Sequence, residues 1–299
     1  MQGEIKFSVV IPTYNRANLI QDTLNSVFAQ TYANYEILVV DNCSIDNTEE
    51  VLKPLISLGK IKYIKNEKNF ERAYSRNVGL TNATGDYLTL LDSDDFLMPN
   101  CLQDAYDFIL NNHGIKVFHN LSVAVNDERE VVYRFKYPPI SNQYKTICRG
   151  NFMSAIGGFI HRDIYTICRF DEDPKMIGAE DYEFWFKVLA MNKVKRINKV
   201  NSQVREHPAR STNIDAYNNL NYQLVKMTRL IEEQPAMAKK YGKYTGTLKA
   251  AFTLQDIIVH KKRYSLTTRV KLLFKAVKND FSVIFTKRFL SVTYNIFKK

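Results

Sequence analysis

The chain has 299 residues, 45% of them apolar and 24% charged, a composition typical of a globular protein that excludes disordered and fibrous classes. No apolar stretch reaches the roughly 18 residues of a membrane-spanning helix. The four cysteines lack C-x-x-C spacing, which argues against a zinc site or a disulfide scaffold, and no secretory signal is visible. The sequence therefore predicts a soluble intracellular protein with one large domain or two smaller ones.

The net charge of +11 is concentrated at one end of the chain. Residues 260–299, called the basic tail below, contain eleven Lys or Arg and one acid, Asp280. The basic tail therefore carries ten of the eleven net positive charges, and residues 1–259 are close to neutral. This asymmetry predicts an anionic partner for the tail alone.

The first hundred residues alternate apolar runs with helical periodicity. The predicted strands are Phe7–Ile11, Ile37–Val40, Ile61–Ile64 and Tyr87–Leu91. The predicted helices are a face through Ile20, Leu24, Val27 and Phe28, then Thr48–Leu58 and Glu71–Thr81. Alternation of this kind predicts an α/β fold with a mostly parallel central sheet flanked by helices.

Beyond Pro99 the alternation loosens. The elements predicted there are helices at Asn100–Leu110 and Asp181–Ala190, a pair of strands at Val117–Ala124 and Val131–Phe135 that could be antiparallel, and strand-like runs within Val194–Val204. Past residue 213 only helices are predicted.

Polar clusters follow three of the predicted strands, at Pro12–Arg16, Asp41–Asn42 and Asp92–Asp95. Ligands of open parallel sheets bind at the carboxyl ends of the strands. Three acids within four residues, as in the last cluster, repel one another unless a cation offsets them, and carboxylate oxygens suit Mg²⁺ or Mn²⁺. The alternative is a solvated turn in which an aspartate caps the following helix.

Five strings together resemble the family 2 glycosyltransferases of the GT-A fold, in the order and spacing seen there, over residues 5–210. The strings are SVVIPTYNR (Ser8–Arg16), VVDNCSIDNT (Val39–Thr48), SRNVG (Ser75–Gly79), LDSDD (Leu91–Asp95) and Glu180-Asp181. The resemblance implies a GT-A fold, a nucleotide-sugar donor, a divalent metal (Mn²⁺ or Mg²⁺) and inverting transfer. It also implies a catalytic domain at 1–212, with a nucleotide-binding half at 1–98 and an acceptor half at 99–212, followed by a helical region at 213–299.

The resemblance also implies a set of donor-binding residues. The nucleotide pocket would be lined by Pro12, Tyr14 and Arg16. Asp41 would accept a hydrogen bond from the base, as in uracil recognition, although the second aspartate usual in the family is Asn42 here. Arg76 would be the basic residue near the donor. The alternatives are a strand-end turn residue for Asp41 and a surface helix residue for Arg76.

Asp92 and Asp94 resemble the two ends of the family's D-x-D motif. Asp94 would hold the metal, and Asp92 would bind the ribose or a metal-bound water. His207 lies where many relatives have a basic or metal-touching residue on a loop over the diphosphate, and Arg205 competes with it for that role.

Asp181 matches the position of the family's catalytic base, which takes the proton of the acceptor hydroxyl. The neighbouring Glu180 is expected to raise the pKa of Asp181 towards the working pH. The alternative is that Asp181 caps the helix predicted to begin there.

The basic tail alternates apolar positions with Lys and Arg, which is typical of a helix lying on an anionic membrane surface. The alternatives are a helix packed on the catalytic domain or a homodimer contact. Nucleic-acid binding is disfavoured because residues 1–259 offer no second basic surface. We therefore expect a peripheral protein on the cytoplasmic face of the cell membrane that transfers a sugar from a UDP donor to a glycan or lipid-linked acceptor for surface polysaccharide.

Two other functions stay open, a metal-independent glycoside hydrolase with two carboxylates and a membrane-associated binding protein with a degenerate transferase domain. A dinucleotide-dependent oxidoreductase and a P-loop kinase are excluded, because neither glycine-rich phosphate-binding motif occurs in the sequence.

Overall fold

A computed structural model describes residues 4–207 and 219–297 of the chain. The strands are β1 (Phe7–Thr13), β2 (Tyr35–Asp41), β3 (Lys62–Lys65), β4 (Tyr87–Leu90), β5 (Phe96–Leu97), β6 (Val117–Val125), β7 (Val131–Arg134), β8 (Gly158–His161) and β9 (Val194–Arg205). The α-helices are α1 (Ile20–Phe28), α2 (Thr48–Ser57), α3 (Glu71–Asn82), α4 (Cys101–Leu110), α5 (Gln143–Arg149), α6 (Arg162–Tyr165), α7 (Glu180–Met191), α8 (Leu220–Glu233), α9 (Pro235–Tyr241), α10 (Thr245–Val259), α11 (Leu266–Asn279) and α12 (Lys287–Phe297).

The strands form a single sheet in the order β3-β2-β1-β4-β8-β6-β9-β5, with β7 added beside β6. The first four strands pair in parallel, as the strand–helix alternation predicts. Beyond β4 the sheet is mixed, because β4–β8, β8–β6, β6–β7 and β5–β9 are antiparallel whereas β6–β9 is parallel. The predicted α/β class is confirmed, and antiparallel pairing enters where the alternation loosens.

Helices cover both faces of the sheet, and β1 shows this most directly. Its side chains alternate, so that Val9 and Ile11 pack with Leu24 of α1 and Leu102 of α4 on one face. Val10 packs into the other core, with Leu80 of α3. A strand buried on both faces is apolar throughout, which explains why its sequence shows no alternation of polar and apolar residues.

Helix α3 lies against β1 at a distance that only glycine permits. A Cβ at Gly79 would lie 2.2 Å from Cγ1 of Val10, which is fully buried. The glycine of the SRNVG string therefore lets the helix pack directly on the strand. The same helix carries Arg76 at the carboxyl edge of the sheet.

The helices after residue 219 complete the second core. Met227 of α8 and Leu248 of α10 belong to the same buried cluster as Phe184 of α7. Tyr241 stacks on Phe186 with ring centroids 3.9 Å apart, and its hydroxyl donates to the Phe186 carbonyl at 2.8 Å. The predicted helical C-terminal region is present, while its predicted boundary at residue 212 lies outside the described residues.

The basic tail forms two helices, α11 and α12, separated by a 3₁₀ turn at Phe281–Phe285, and not one continuous amphipathic helix. The break begins at Asp280, whose carboxylate accepts hydrogen bonds from the Thr247 hydroxyl at 2.7 Å and the Ser282 N–H at 2.9 Å. Part of the apolar stripe packs on α10, namely Val270, Leu273, Ala276, Val277, Val283, Ile284, Val292 and Ile296.

A second set of large apolar side chains in the tail points to solvent, with exposed fractions between 60% and 77%. We call this set the outer face of the tail: Phe274, Phe281, Phe285, Leu290 and Tyr294. The tail therefore both packs on the rest of the chain and presents an apolar surface. Within residues 4–207 and 219–297, no helix is long and apolar enough to cross a bilayer.

Candidate functional site

The loops after β1 and β2 are joined at the carboxyl edge of the sheet. Thr13 and Asp41, the last residues of these parallel strands, are direct neighbours in the register. The Asn15 N–H donates to the Ser44 hydroxyl and the Asn15 side-chain oxygen accepts from the Ile45 N–H, both at 2.9 Å. Asn15 has a positive φ of 51°, a conformation that asparagine tolerates better than most residues.

A cleft of about 200 Å³ opens at this edge, and we call it the donor cleft. It brings together six of the predicted site residues, namely Pro12, Tyr14, Arg16, Arg76, Asp92 and Asp94. Asn42 and Asn69 line it as well. Residues as far apart in the chain as Pro12 and Asp94 therefore meet in one place.

Asp41 does not line this cleft. It is fully buried, and one carboxylate oxygen accepts from the Ser44 N–H and hydroxyl at 2.9 and 2.6 Å. The other oxygen accepts from the Tyr63 hydroxyl at 2.6 Å. In this arrangement Asp41 fixes the loop, while Asn42 lines the cleft, and base recognition by Asp41 stays a prediction.

Asp94 lies at the centre of a small polar cluster. Its Oδ2 is 3.0 Å from Nε2 of His207 and 3.5 Å from Nε of Arg16. Arg205, the competitor of His207, points elsewhere: its guanidinium pairs with Asp22 at 3.0 Å and Asp127 at 3.2 Å. His207, and not Arg205, therefore meets the D-x-D segment.

The donor set around Asp94 fits a divalent metal that is shared with a substrate. Among residues 4–207 and 219–297, no three His, Cys, Asp or Glu side chains form a metal-binding group. Asp94 and His207 nevertheless converge within hydrogen-bond distance, and carboxylate oxygen with imidazole nitrogen is a ligand pair that Mn²⁺ accepts. Two protein ligands leave the other positions for water and a diphosphate, as is usual at phosphate-bound Mg²⁺ and Mn²⁺ sites.

Asp95 has a different environment. It is buried, and its Oδ1 accepts a hydrogen bond of 2.9 Å from the Arg205 N–H at the end of β9. Asp95 thereby holds the acidic loop against the second half of the sheet.

Arg76 connects the acidic loop to the start of α7. It is 2% exposed, so it is not a surface helix residue. Its Nη2 donates to Asp92 at 3.1 Å and its Nη1 donates to Glu180 at 3.2 Å. Glu180 is also buried, and it lies 3.5 Å from Nε of Arg72. Buried charges require such pairing, since an unpaired charge away from water is strongly destabilising.

Asp181 lies in the first turn of α7 and does not cap it. The N-cap is Ala179, and the cap makes no side-chain hydrogen bond. The Asp181 carboxylate instead accepts from Nδ2 of Asn151 at 3.2 Å and from the Tyr182 N–H at 2.7 Å. It faces a second cavity of about 360 Å³, which also contains Asp92, Arg72 and Arg76. We call it the acceptor cavity because the sequence predicts that Asp181 takes the proton of an acceptor hydroxyl.

Burial and, to a lesser extent, the neighbouring charge of Glu180 together raise the pKa of Asp181 to about 7, against the opposing effect of Arg76. The expected influence of Glu180 has the predicted direction, although burial is the larger cause. A carboxyl group with a pKa near neutrality is suited to accept a proton at physiological pH.

Three residues of these cavities were not identified from the sequence. Arg72 lies one helical turn before Arg76, a spacing that could have indicated a second cation on the same face of α3. Asn151 and Arg288 belong to no sequence motif, and only the folding of the chain brings them to the cavity.

A family model described as glycosyl transferase family 2 matches residues 8–163. The chain is 30% identical over 192 residues to the Escherichia coli UDP-Glc:alpha-D-GlcNAc-diphosphoundecaprenol beta-1,3-glucosyltransferase WfgD. The match covers 64% of this chain and 72% of that protein. It is 28% identical over 268 residues to an uncharacterized glycosyltransferase of Rickettsia felis, covering 87% of this chain and 42% of the relative. The chain thus spans about two fifths of that relative's length.

Among solved structures, S. aureus TarS in complex with UDP-GlcNAc superposes with a TM-score of 0.66 at 21% identity. The match covers 97% of this chain and 87% of the TarS chain. Likeness at this identity concerns the fold, and it confirms the expected GT-A architecture.

Proposed function

The chain belongs to glycosyl transferase family 2, and from that premise we propose that it is an inverting glycosyltransferase that uses a nucleotide-diphosphate sugar, with UDP as the nucleotide. The proposed acceptor is a hydroxyl of a glycan or lipid-linked oligosaccharide in surface polysaccharide synthesis. The observation that carries the proposal is the contact series Asp92–Arg76–Glu180, in which Arg76 and Glu180 are buried and which joins the donor cleft to the cavity containing Asp181. The similarity to WfgD, named as a UDP-glucose enzyme with a diphosphoundecaprenol acceptor, supports the donor and the acceptor class.

In the proposed reaction, the acceptor oxygen attacks the anomeric carbon on the face opposite the diphosphate. Asp181 takes the hydroxyl proton as the new bond to carbon forms. The bond from the anomeric carbon to the diphosphate oxygen breaks, and its electron pair leaves with the nucleoside diphosphate. Asn151 and the Tyr182 N–H hold the Asp181 carboxylate by hydrogen bonds and so keep its orientation fixed.

Asp94 and His207 are the residues that would hold Mn²⁺ or Mg²⁺, which when bound supplies positive charge to the diphosphate. Arg16 adds a fixed cation on the same side of the donor cleft. Positive charge at this position lets the diphosphate leave without a protonating side chain.

We also propose that the protein associates with the anionic inner face of the cell membrane through residues 260–299. The outer face of the tail supplies the apolar contacts, and Lys and Arg side chains of the same segment supply attraction to anionic lipid. A peripheral position of this kind suits an acceptor that is carried on a lipid.

A thermal-shift panel of UDP, GDP, CDP and ADP, each with and without Mn²⁺, tests the proposed function. We expect UDP with Mn²⁺ to stabilise the folded protein selectively, because a ligand that binds only the native state raises its melting temperature. Asp94→Ala should remove the Mn²⁺-dependent part of the shift. Asp107→Ala, which removes an exposed acid outside both cavities, should leave it unchanged. An equal response to every nucleotide, or no response, would contradict the proposal.

A further inference from the structure

The acceptor cavity has a wall made by the C-terminal helices. Ala251, Phe252 and Gln255 of α10 line it together with Arg288 of α12. Asp92 and Asp181 line the same cavity, where they would face the donor and the proposed reacting hydroxyl. The remainder of an acceptor whose hydroxyl reaches Asp181 therefore lies against α10 and α12.

Arg288 lies directly over the turn that positions the base. A Cβ at Gly150 would be 3.7 Å from its Nη1 and 3.9 Å from its Nη2, and Nη1 donates to the Arg149 carbonyl at 3.4 Å. Gly150 has a φ of +153°, a value that residues with a side chain rarely adopt. The next residue is Asn151, the partner of Asp181, so this cation stands close to the reacting end of the cavity.

The charge of Arg288 differs from that of the other arginines in the cavity. Arg72 and Arg76 both contact Glu180. Arg288 and its neighbour Arg149 make no contact with a carboxylate from the described parts of the chain, and their contacts are to a carbonyl and to the Ser282 hydroxyl. The guanidinium group of Arg288 therefore lines the cavity without a carboxylate contact from the described residues, and it is available to pair with an anionic group of a ligand.

We propose that Arg288 binds the phosphate groups of the acceptor, and that the acceptor is therefore a sugar linked to a lipid through a phosphate or diphosphate. The inference rests on the proposed function and specifies its acceptor. Guanidinium groups bind phosphate oxygens through paired hydrogen bonds, which gives both strength and orientation. Phe281 and Phe285 of the outer face belong to the turn that leads into α12, so the lipid chain has an apolar surface beside the phosphate site.

The test compares two water-soluble acceptors that carry the same sugar, one a short-chain lipid diphosphate and the other a neutral alkyl glycoside. We expect Arg288→Gln to raise KM for the diphosphate acceptor at least about tenfold, the usual effect of losing a hydrogen bond to a charged group. The KM for the neutral glycoside and kcat should stay the same. Arg288→Lys should restore part of the affinity, and Arg229→Gln, the same change at an exposed position of α8, should have no effect.

Calorimetry with the diphosphate acceptor alone separates this inference from the proposed function, since it requires neither donor nor turnover. Weaker binding to Arg288→Gln than to the wild type supports the phosphate site even if UDP fails to bind. An equal affinity of the two proteins would overturn it. A variant that sediments less with anionic vesicles but keeps the wild-type KM for the soluble diphosphate acceptor would also overturn it, by assigning Arg288 to lipid headgroups.

Discussion

The raised pKa of Asp181 is caused by its surroundings and not by its residue type. Burial and the negative charge of Glu180 both disfavour its ionised form, whereas Arg76 favours it. Arg76 is itself shared between Glu180 and Asp92. The proton affinity of the proposed base is therefore connected, through one guanidinium group, to a carboxylate that faces the donor cleft.

This environment predicts a pH dependence. A base with a pKa of about 7 is protonated and inactive below that pH, so kcat/KM for the acceptor should rise with pH and level off above about 8. Glu180→Gln removes a charge that raises the pKa of Asp181, and the acid limb should therefore move to lower pH. Rate profiles between about pH 5 and 9 measure both effects.

Asp181→Asn provides the control for this profile. It should reduce transfer by about 10²- to 10⁴-fold, the usual contribution of a general base, and leave UDP binding intact. If the fall of kcat/KM at low pH persists in Asp181→Asn, or if it does not shift in Glu180→Gln, the titration belongs to another group.

Site residues are hard to predict from the sequence when their partners are distant along the chain. Asp92, Asp94 and Asp181 could be predicted as site residues because each stands in a short string that resembles the family. Asn151 lies 30 residues from its partner Asp181, so nothing local marks it. Asp41 is the opposite case. It belongs to a motif and was expected to face the ligand, but it is buried and hydrogen-bonded to Tyr63 and Ser44.

Whole elements were predictable where their own residues determine them. The strands β1 and β2 are apolar runs, and both were found. The two residues of β5, Phe96 and Leu97, form a strand only because Gln203 and Ser202 of β9 pair with them. Helix α5 buries few side chains and shows no clear apolar period, so it too was missed.

Gly79→Ala tests the close approach of α3 to β1. The added methyl group would meet the fully buried Val10, which has no room to move, and we expect a loss of about 1–3 kcal/mol in the free energy of unfolding. Gly242→Ala is the matched control, because no atom lies within 4 Å of its Cβ position. Urea denaturation of both variants measures the difference, and equal stabilities would refute the packing argument.

At the scale of the whole molecule, most of the net positive charge and an exposed apolar face occur together in residues 260–299. The basic tail holds most of the net charge, and its outer face holds five large exposed apolar side chains. The opposite side of the tail is buried on α10, at Leu254 and Ile257. Membrane association can therefore be tested by changing exposed residues without uncovering this core.

Phe281→Ser with Phe285→Ser should weaken sedimentation with anionic vesicles at least about tenfold, because each exposed ring contributes apolar area on entering the interface. The control is Ile45→Ser with Leu58→Ser, which removes two equally exposed apolar side chains far from the tail in sequence. Unchanged sedimentation of the phenylalanine variant, or equal loss in both variants, would exclude the tail as a specific membrane contact.

The hydrogen bond between Asp95 and the Arg205 N–H, 110 positions apart, has a consequence for how the protein is made. When Asp95 leaves the ribosome, the strand that will fix it has not yet been translated. Phe96 likewise can form its strand pairing only after Gln203 has been translated. The nascent chain can pair β1 with β2 and β4 early, but the acidic loop gains its final position only after β9 emerges, so the edge of the sheet proposed to hold the metal is among the last features to form.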